Sequence, residues 1–259
     1  MKLQEPIQLT YLINTLSIGG AERGMARLLS GLSTKRFDIT VVGLATRGGG
    51  IINQLPDHVD VVDLGIESPF NIVRLRTVWS VLSDTDVRVA SLYHATQIGR
   101  ILGTLRHVPI ILSWQHSERL ESTFQQRAFG LLSMFDTQVL ADSKSAADGA
   151  ISYGVNPEKV RQIPIAGIDL EEYQPVSYNS RETIRVGTLG RLTPAKNIRT
   201  VLNVAEMLQD QPIKFFIGGY GPMRDTLEQH AIDAGLDNVI FEGLVEDVPD
   251  YLRKLDIYF

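Results

Sequence analysis

The chain of 259 residues carries 25 Lys and Arg against 30 Asp and Glu, a formal charge of −5, and neither half holds the basic excess of a nucleic-acid binder. It has no cysteine, which excludes a disulfide framework and a thiolate metal site and is compatible with a reducing compartment. No apolar run approaches the roughly 18 residues of a membrane span, and Gln4, Glu5 and Pro6 interrupt the lysine-then-apolar pattern of a signal peptide.

Strands and helical segments alternate along the chain, the pattern of parallel βαβ units. The first part predicts strands near Ile7–Asn14, Asp38–Ala45, Val59–Asp63, Val87–Tyr93, Ile110–Trp114, Thr137–Ala141 and Val160–Pro164. Helices fit between them at Gly20–Leu32, Ile72–Leu82, Gln97–Leu105, Gln125–Met134 and Ser143–Ser152. A polar connector with Pro175, Ser177, Asn179 and Ser180 suits a hinge between Leu170 and Glu182. A second sheet follows, with strands at Ile184–Leu189, Ile213–Ile217, Val239–Phe241 and Asp256–Phe259.

Two loops of the second part carry the chemistry. Gly190-Arg191-Leu192-Thr193-Pro194-Ala195-Lys196-Asn197 places two cations just beyond a strand, where open α/β sheets bind ligands, with a helix starting near Lys196. One strand later, Gly218-Gly219-Tyr220-Gly221-Pro222 supplies tight turning and a proline suited to a first helical turn. A cation beside a helix N-terminus is unfavourable unless an anion is present, which favours phosphate over a solvated pair.

With these motifs the chain resembles the GT-B glycosyltransferases of family 4. Gly19-Gly20-Ala21-Glu22-Arg23 resembles the family's N-terminal glycine loop. Ala141-Asp142-Ser143, Gly154-Val155 and Ile163-Pro164 with Gly167-Ile168-Asp169 resemble its interdomain approach. The loops at Gly190 and Gly219, followed by Val239-Ile240-Phe241-Glu242-Gly243, match its nucleotide-binding half. The resemblance implies an α/β, GT-B fold of two facing Rossmann-like parallel-sheet domains: an acceptor-side domain over 1–170, a connector over 171–182, and a partial nucleotide-sugar-binding domain over 183–259. It also implies that the family's paired glutamates would fall beyond Phe259, so that the chain is a C-terminally truncated, inactive fragment.

By the same resemblance Arg191 and Lys196 hold the donor diphosphate, Gly19, Gly20, Gly219 and Gly221 line the donor, and His94 faces the donor sugar. His116, just past another strand, is a further candidate on the acceptor or sugar side. Duller roles stand beside these: Gly19 and Gly20 as a plain turn, and each histidine as a satisfied core residue. The histidines lie on different strands with no carboxylate at ligand spacing, so no metal site is expected. Asp84-Thr85-Asp86 mimics a cation-binding triplet but precedes its strand, and a solvated turn accounts for it better. Gly48-Gly49-Gly50 reads as a loop that could border an acceptor.

The implied reaction is transfer of a sugar from a nucleotide-sugar donor, with retention of configuration, to a sugar or lipid-linked acceptor. No cofactor and no metal are required, and no nucleic acid is a partner. The expected place is the cytoplasm, with peripheral association at the inner membrane face left open. A nucleotide-sugar epimerase of the same fold and a non-catalytic nucleotide binder are the alternatives. A bare dinucleotide binder is disfavoured because no G-x-G-x-x-G follows the first strand.

Overall fold

A computed structural model describes residues 6–45, 50–65, 72–117, 119–164, 171–176 and 182–259. Gly48, Gly49, the Gly167-Ile168-Asp169 motif and part of the expected hinge lie outside the described residues. The chain divides into two units, Met1–Gly167 and Ile168–Phe259.

In the first unit, parallel strands β1 (Ile7–Thr15), β2 (Phe37–Ala45), β3 (Val59–Asp63), β4 (Val87–Ser91), β5 (Ile110–Gln115), β6 (Gln138–Ala141) and β7 (Val160–Gln162) form one sheet in the order β3-β2-β1-β4-β5-β6-β7. The near-continuous apolar strands follow from burial on both faces. Leu9, Tyr11 and Ile13 of β1 pack with Met25, Ala26 and Leu29 of helix α1 (Gly20–Ser30). Leu12, pointing the other way, joins Val78 of α2 (Ile72–Val81) and Ala95 of α3 (Tyr93–Leu105). Two further helices, α4 (Thr123–Leu132) and α5 (Lys144–Ser152), are capped by the side chains of Ser122 and Ser143.

A buried charge cluster holds α3 to this sheet. Arg100 of α3 donates through Nε to Asp136 Oδ2 at 2.8 Å, and Ser113 of β5 donates to Asp136 Oδ1 at 2.7 Å. Arg88 of β4 lies 3.7 Å from the same carboxylate and donates to the Leu112 carbonyl at 2.9 Å. Both arginines are fully buried, and burial pushes the Arg88 guanidinium down to about 9.

The second unit is a parallel sheet in the order β10-β9-β8-β11, built from β8 (Ile184–Leu189), β9 (Ile213–Gly218), β10 (Val239–Gly243) and β11 (Ile257–Tyr258). Helices α6 (Ile198–Met207) and α7 (Arg224–Asp233) cover one face through Val201, Leu202, Ala205, Leu227 and Ala231. A short helix, α8 (Val248–Arg253), was not expected, although Asp247 three residues before Asp250 with Pro249 between them is a helix-start signal. Its Tyr251 hydroxyl lies 2.8 Å from the carbonyl oxygens of Thr188 and Phe216, tying α8 to β8 and β9, and burial pushes its pKa up to about 12.

Two departures from expectation have physical causes. The strand expected over Val87–Tyr93 stops at Ser91, and the helix expected from Gln97 starts at Tyr93. No local capping residue marks that start. The Asn14 side chain, 81 residues earlier in the sequence, accepts the Ala95 N–H at 2.8 Å instead. The helix expected near Lys196 is a 3-10 turn over Pro194–Lys196, and Asn197 in a left-handed conformation (φ 47°) separates it from α6.

Candidate functional site

Strand order reverses at β1 and β4 in the first sheet and at β8 and β11 in the second, and ligands of open parallel sheets bind at the carboxyl ends of such reversals. The candidate residues group at these edges, and each unit is described separately.

In the second unit the loops after β8 and β9 are interlocked. Gly190 N–H donates to the Gly218 carbonyl at 3.0 Å, Leu192 N–H to the Tyr220 carbonyl at 3.1 Å, and Met223 N–H to the Leu192 carbonyl at 3.1 Å. This packing gives Gly219 and Gly221 a reason the sequence did not show. A Cβ on Gly219 (φ 126°) would sit 1.9 Å from the Gly190 carbonyl oxygen, and one on Gly221 would sit 2.4 Å from that of Leu192. Both glycines are therefore required by loop-to-loop contact, whatever ligand lies above.

Arg191 and Lys196 are exposed on this frame. The Lys196 methylenes fold back over Gly190, whose ideal Cβ would lie 3.6 Å from Lys196 Cε. Among the described residues, neither cationic head meets a carboxylate within ion-pair distance or makes a side-chain hydrogen bond. Nearby Arg224, by contrast, is engaged by Glu228 at 2.8 Å. Two unpartnered cations on a rigid pair of loops can bind an anion with little reorganisation.

In the first unit, Gly19 caps α1 in extended backbone that any residue adopts. Gly20 has no atom within 4 Å of the position a Cβ would take, so packing does not demand glycine there. Behind this turn lies a group the sequence reading passed over: Glu22, 4% exposed in the first turn of α1, accepts a hydrogen bond from Thr15 Oγ1 at 3.1 Å. The acidic residue three places beyond the glycine cap was the available signal, because a carboxylate is stabilised at a helix N-terminus. Gly50 supports the same loop, its ideal Cβ lying 2.9 Å from Ile18 Cγ1.

The two histidines differ sharply. His94 is exposed in the first turn of α3, and its ring meets that of Tyr93 edge-on at 5.3 Å. His116 has both ring nitrogens engaged: Nδ1 lies 3.1 Å from Asp142 Oδ2 and Nε2 2.9 Å from Ser91 Oγ, with the ring stacked on Trp114. Burial lowers the His116 pKa below its ordinary 6.5, opposed by Asp142 and Glu22. A histidine whose folded-state pKa is depressed stabilises the fold above the unfolded-state value, and that contribution is lost as pH falls through the folded-state value. The melting temperature should therefore fall as pH drops below about 6.5, and His116→Gln should flatten that fall. Equal slopes in parent and variant would exclude His116 as the source.

The Asp84-Thr85-Asp86 triplet lies at the amino edge of the sheet as expected, but it is a packed join with buried Thr85 and not a solvated turn. Asp86 Oδ2 accepts the Gln8 N–H at 2.9 Å, and Thr85 Oγ1 lies 2.7 Å from Thr10 Oγ1, at the amino edge of the sheet. Among the described residues no cluster of three or more His, Asp or Glu could hold a metal ion, and no helix is long and apolar enough to cross a membrane.

Residues 19–166 match the model of the glycosyl transferase 4-like domain, and residues 171–259 that of glycosyl transferases group 1. The chain belongs to the glycosyl transferase 4-like family. Among solved structures it is similar to Alr3699/HepE of Anabaena in complex with UDP-glucose, at 20% identity and a TM-score of 0.81, covering 97% of this chain and 73% of that one. A glycosyltransferase of Rickettsia africae aligns at 12% identity and a TM-score of 0.74, over 98% and 73% of the two chains. UDP-GlcNAc 2-epimerase of Neisseria meningitidis, bound to UDP-GlcNAc, aligns at 14% identity and a TM-score of 0.63, over 97% and 76%. None of the curated proteins matches the chain in sequence. These likenesses give the fold as GT-B, with a seven-stranded first sheet and a smaller four-stranded second one.

Proposed function

We propose that the chain, in a form extended to the length of its family, takes a nucleotide sugar as donor and transfers its sugar, with retention of configuration, to a sugar or lipid-linked acceptor. The observation that carries this reading is the pair of unpartnered cations, Arg191 and Lys196, on interlocked loops at the carboxyl edge of the second sheet. In this reading they hold the donor diphosphate and stabilise the charge that grows on the leaving nucleoside diphosphate as the glycosidic bond breaks. The binding of UDP-glucose by Alr3699/HepE supports a uridine nucleotide as the first donor to try. We assign 1–170 to the acceptor side, 171–182 to the connector and 183–259 to the donor nucleotide. The reaction belongs in the cytoplasm, beside the inner membrane face where a lipid-linked acceptor is used.

The open space above Gly20 supports close approach of a ligand to the α1 turn, and exposed His94 is the sugar-side group, since among the described residues its ring nitrogens make no hydrogen bond. His94→Ala should therefore lower kcat roughly tenfold to a hundredfold while leaving melting temperature and nucleoside-diphosphate affinity near the parent values. A variant that melts early and loses all three together would return His94 to a packing role. The likeness to the epimerase favours one rival, in which the product is a C2-epimeric sugar with no acceptor linkage.

A further inference from the structure

The carboxyl ends of β4, β5 and β6 are joined to Tyr11, in the middle of β1, by a chain of side-chain hydrogen bonds that the donor and sugar contacts above leave unused. Asp142 Oδ2 lies 3.1 Å from His116 Nδ1, His116 Nε2 2.9 Å from Ser91 Oγ, and Ser91 Oγ 2.5 Å from the Tyr11 hydroxyl. An ionised carboxylate only accepts, so Nδ1 carries the proton. Nε2 of the neutral ring then accepts from Ser91, and Ser91 accepts from Tyr11. Every proton in the chain has a place, and neither Tyr11, Ser91 nor His116 is among the buried groups without a partner. Protonating His116 would turn Nε2 into a donor to Ser91 Oγ, which can accept from both His116 and Tyr11, and would take from the buried Ser91 hydroxyl the acceptor of its own hydrogen. The carboxylate of buried Glu22 also acts on Tyr11 and His116.

Ser91 is the residue before Leu92, and Leu92 has φ 68° and ψ 154°, a region that glycine alone populates freely. A leucine stays there only where its surroundings over-determine it. On the far side of the turn the Ala95 N–H donates to Asn14 Oδ1 at 2.8 Å. Leu92, Tyr93 and His94 thus turn between two pinned points: a hydroxyl held by two neighbouring strands, and an amide held by a third group at the end of β1.

We propose that His116, oriented by Asp142 and acting through Ser91, and Asn14 on the opposite side, are positioning residues for this strained elbow and so for the presentation of His94. The proposal rests on the reading of His94 as the sugar-side group, and its structural half can be tested without that reading. It assigns His116 an action on the backbone turn that carries another histidine.

The test uses the whole chain, labelled for NMR, and three variants: Ser91→Ala, Asn14→Ala and Asn14→Asp. In the parent, His116 should be neutral near pH 7 with its proton on Nδ1, Leu92 should show the amide coupling of a positive φ, and the Ala95 amide should exchange slowly. Asn14→Ala should speed Ala95 exchange about tenfold while the later turns of α3 keep their protection, and Asn14→Asp, which keeps the acceptor, should restore it. Ser91→Ala should shift the Leu92 coupling and the His94 ring signals while His116, still facing Asp142, keeps its proton on Nδ1. In a form extended to the family's length, with UDP-glucose as the probe donor, both alanine variants should lower kcat and leave UDP affinity unchanged.

Leu92 and His94 signals at their parent positions in folded Ser91→Ala and Asn14→Ala chains would overturn the proposal whatever His94 does. If Ser91→Ala does not fold, the Asn14 pair decides alone. An elbow that loosens as described in a protein whose turnover is indifferent to His94→Ala would instead retire the sugar-side reading of His94 and leave the elbow as a structural device.

Discussion

Replacing Arg191 or Lys196 by alanine is expected to weaken nucleoside-diphosphate binding roughly tenfold to a hundredfold, the loss of about 1.5–3 kcal/mol that a hydrogen bond to a charged group contributes. The estimate applies because the two heads have no internal partners to fall back on and the loops that carry them are hydrogen-bonded to each other. Their fold should survive the change, since both side chains are exposed and the packing of this region rests on Leu192, Gly219 and Gly221. Calorimetry with UDP reads the effect directly. The double variant should lose less than the sum of the two single losses if both cations share one phosphate, and the full sum if they hold separate ones. Unchanged dissociation constants in folded single variants would remove the clamp.

A larger effect, on stability, is expected at Asp136. Its carboxylate stands between two fully buried guanidiniums, Arg88 and Arg100, and accepts from Ser113 as well. Asp136→Ala would leave two buried cations without a counter-ion. Breaking such a pair costs about 3–5 kcal/mol, a large share of the 5–15 kcal/mol that holds a typical domain together. Lys159, which reaches the Asp136 carbonyl at 2.7 Å, would add to the uncompensated charge nearby. Denaturant unfolding of the variant should show the loss in the first unit, with the second unit's transition unmoved. Because Arg100 sits on α3, partial unfolding there should also release the turn carrying His94. A loss below about 1 kcal/mol would mean that water or another group neutralises the arginines.

Much of this was legible in the sequence, and the parts that were not share a cause. The strands of both sheets announced themselves because buried parallel strands are apolar on both faces, and β3 and β8 begin and end where expected. The cations at Arg191 and Lys196 were visible as a loop pattern. What sequence could not show was contact across long separations. Asn14 caps a helix 81 residues away, so the start of α3 was placed late and Leu92 was taken for strand. Nothing local reveals that the backbones of Gly219 and Gly221 press on Gly190 and Leu192. Arg88, Arg100 and Asp136 each look like surface charges in isolation, and only the fold brings them together in a buried site. His116 and Asp142 likewise lie 26 residues apart, and their pairing exists only where β5 and β6 end side by side.

The central claim, that this fold at the full length of its family breaks a nucleotide-sugar bond and passes the sugar on with its configuration kept, is tested most directly by following nucleotide sugars by NMR in the presence of a family-length form of the protein and candidate sugar or lipid-linked acceptors. The account predicts that free nucleoside diphosphate appears in step with a new glycoside of the donor's own anomeric configuration, and that Lys196→Ala suppresses both. Interconversion of C2 epimers with no acceptor-linked product, or a glycoside of inverted configuration, would contradict it.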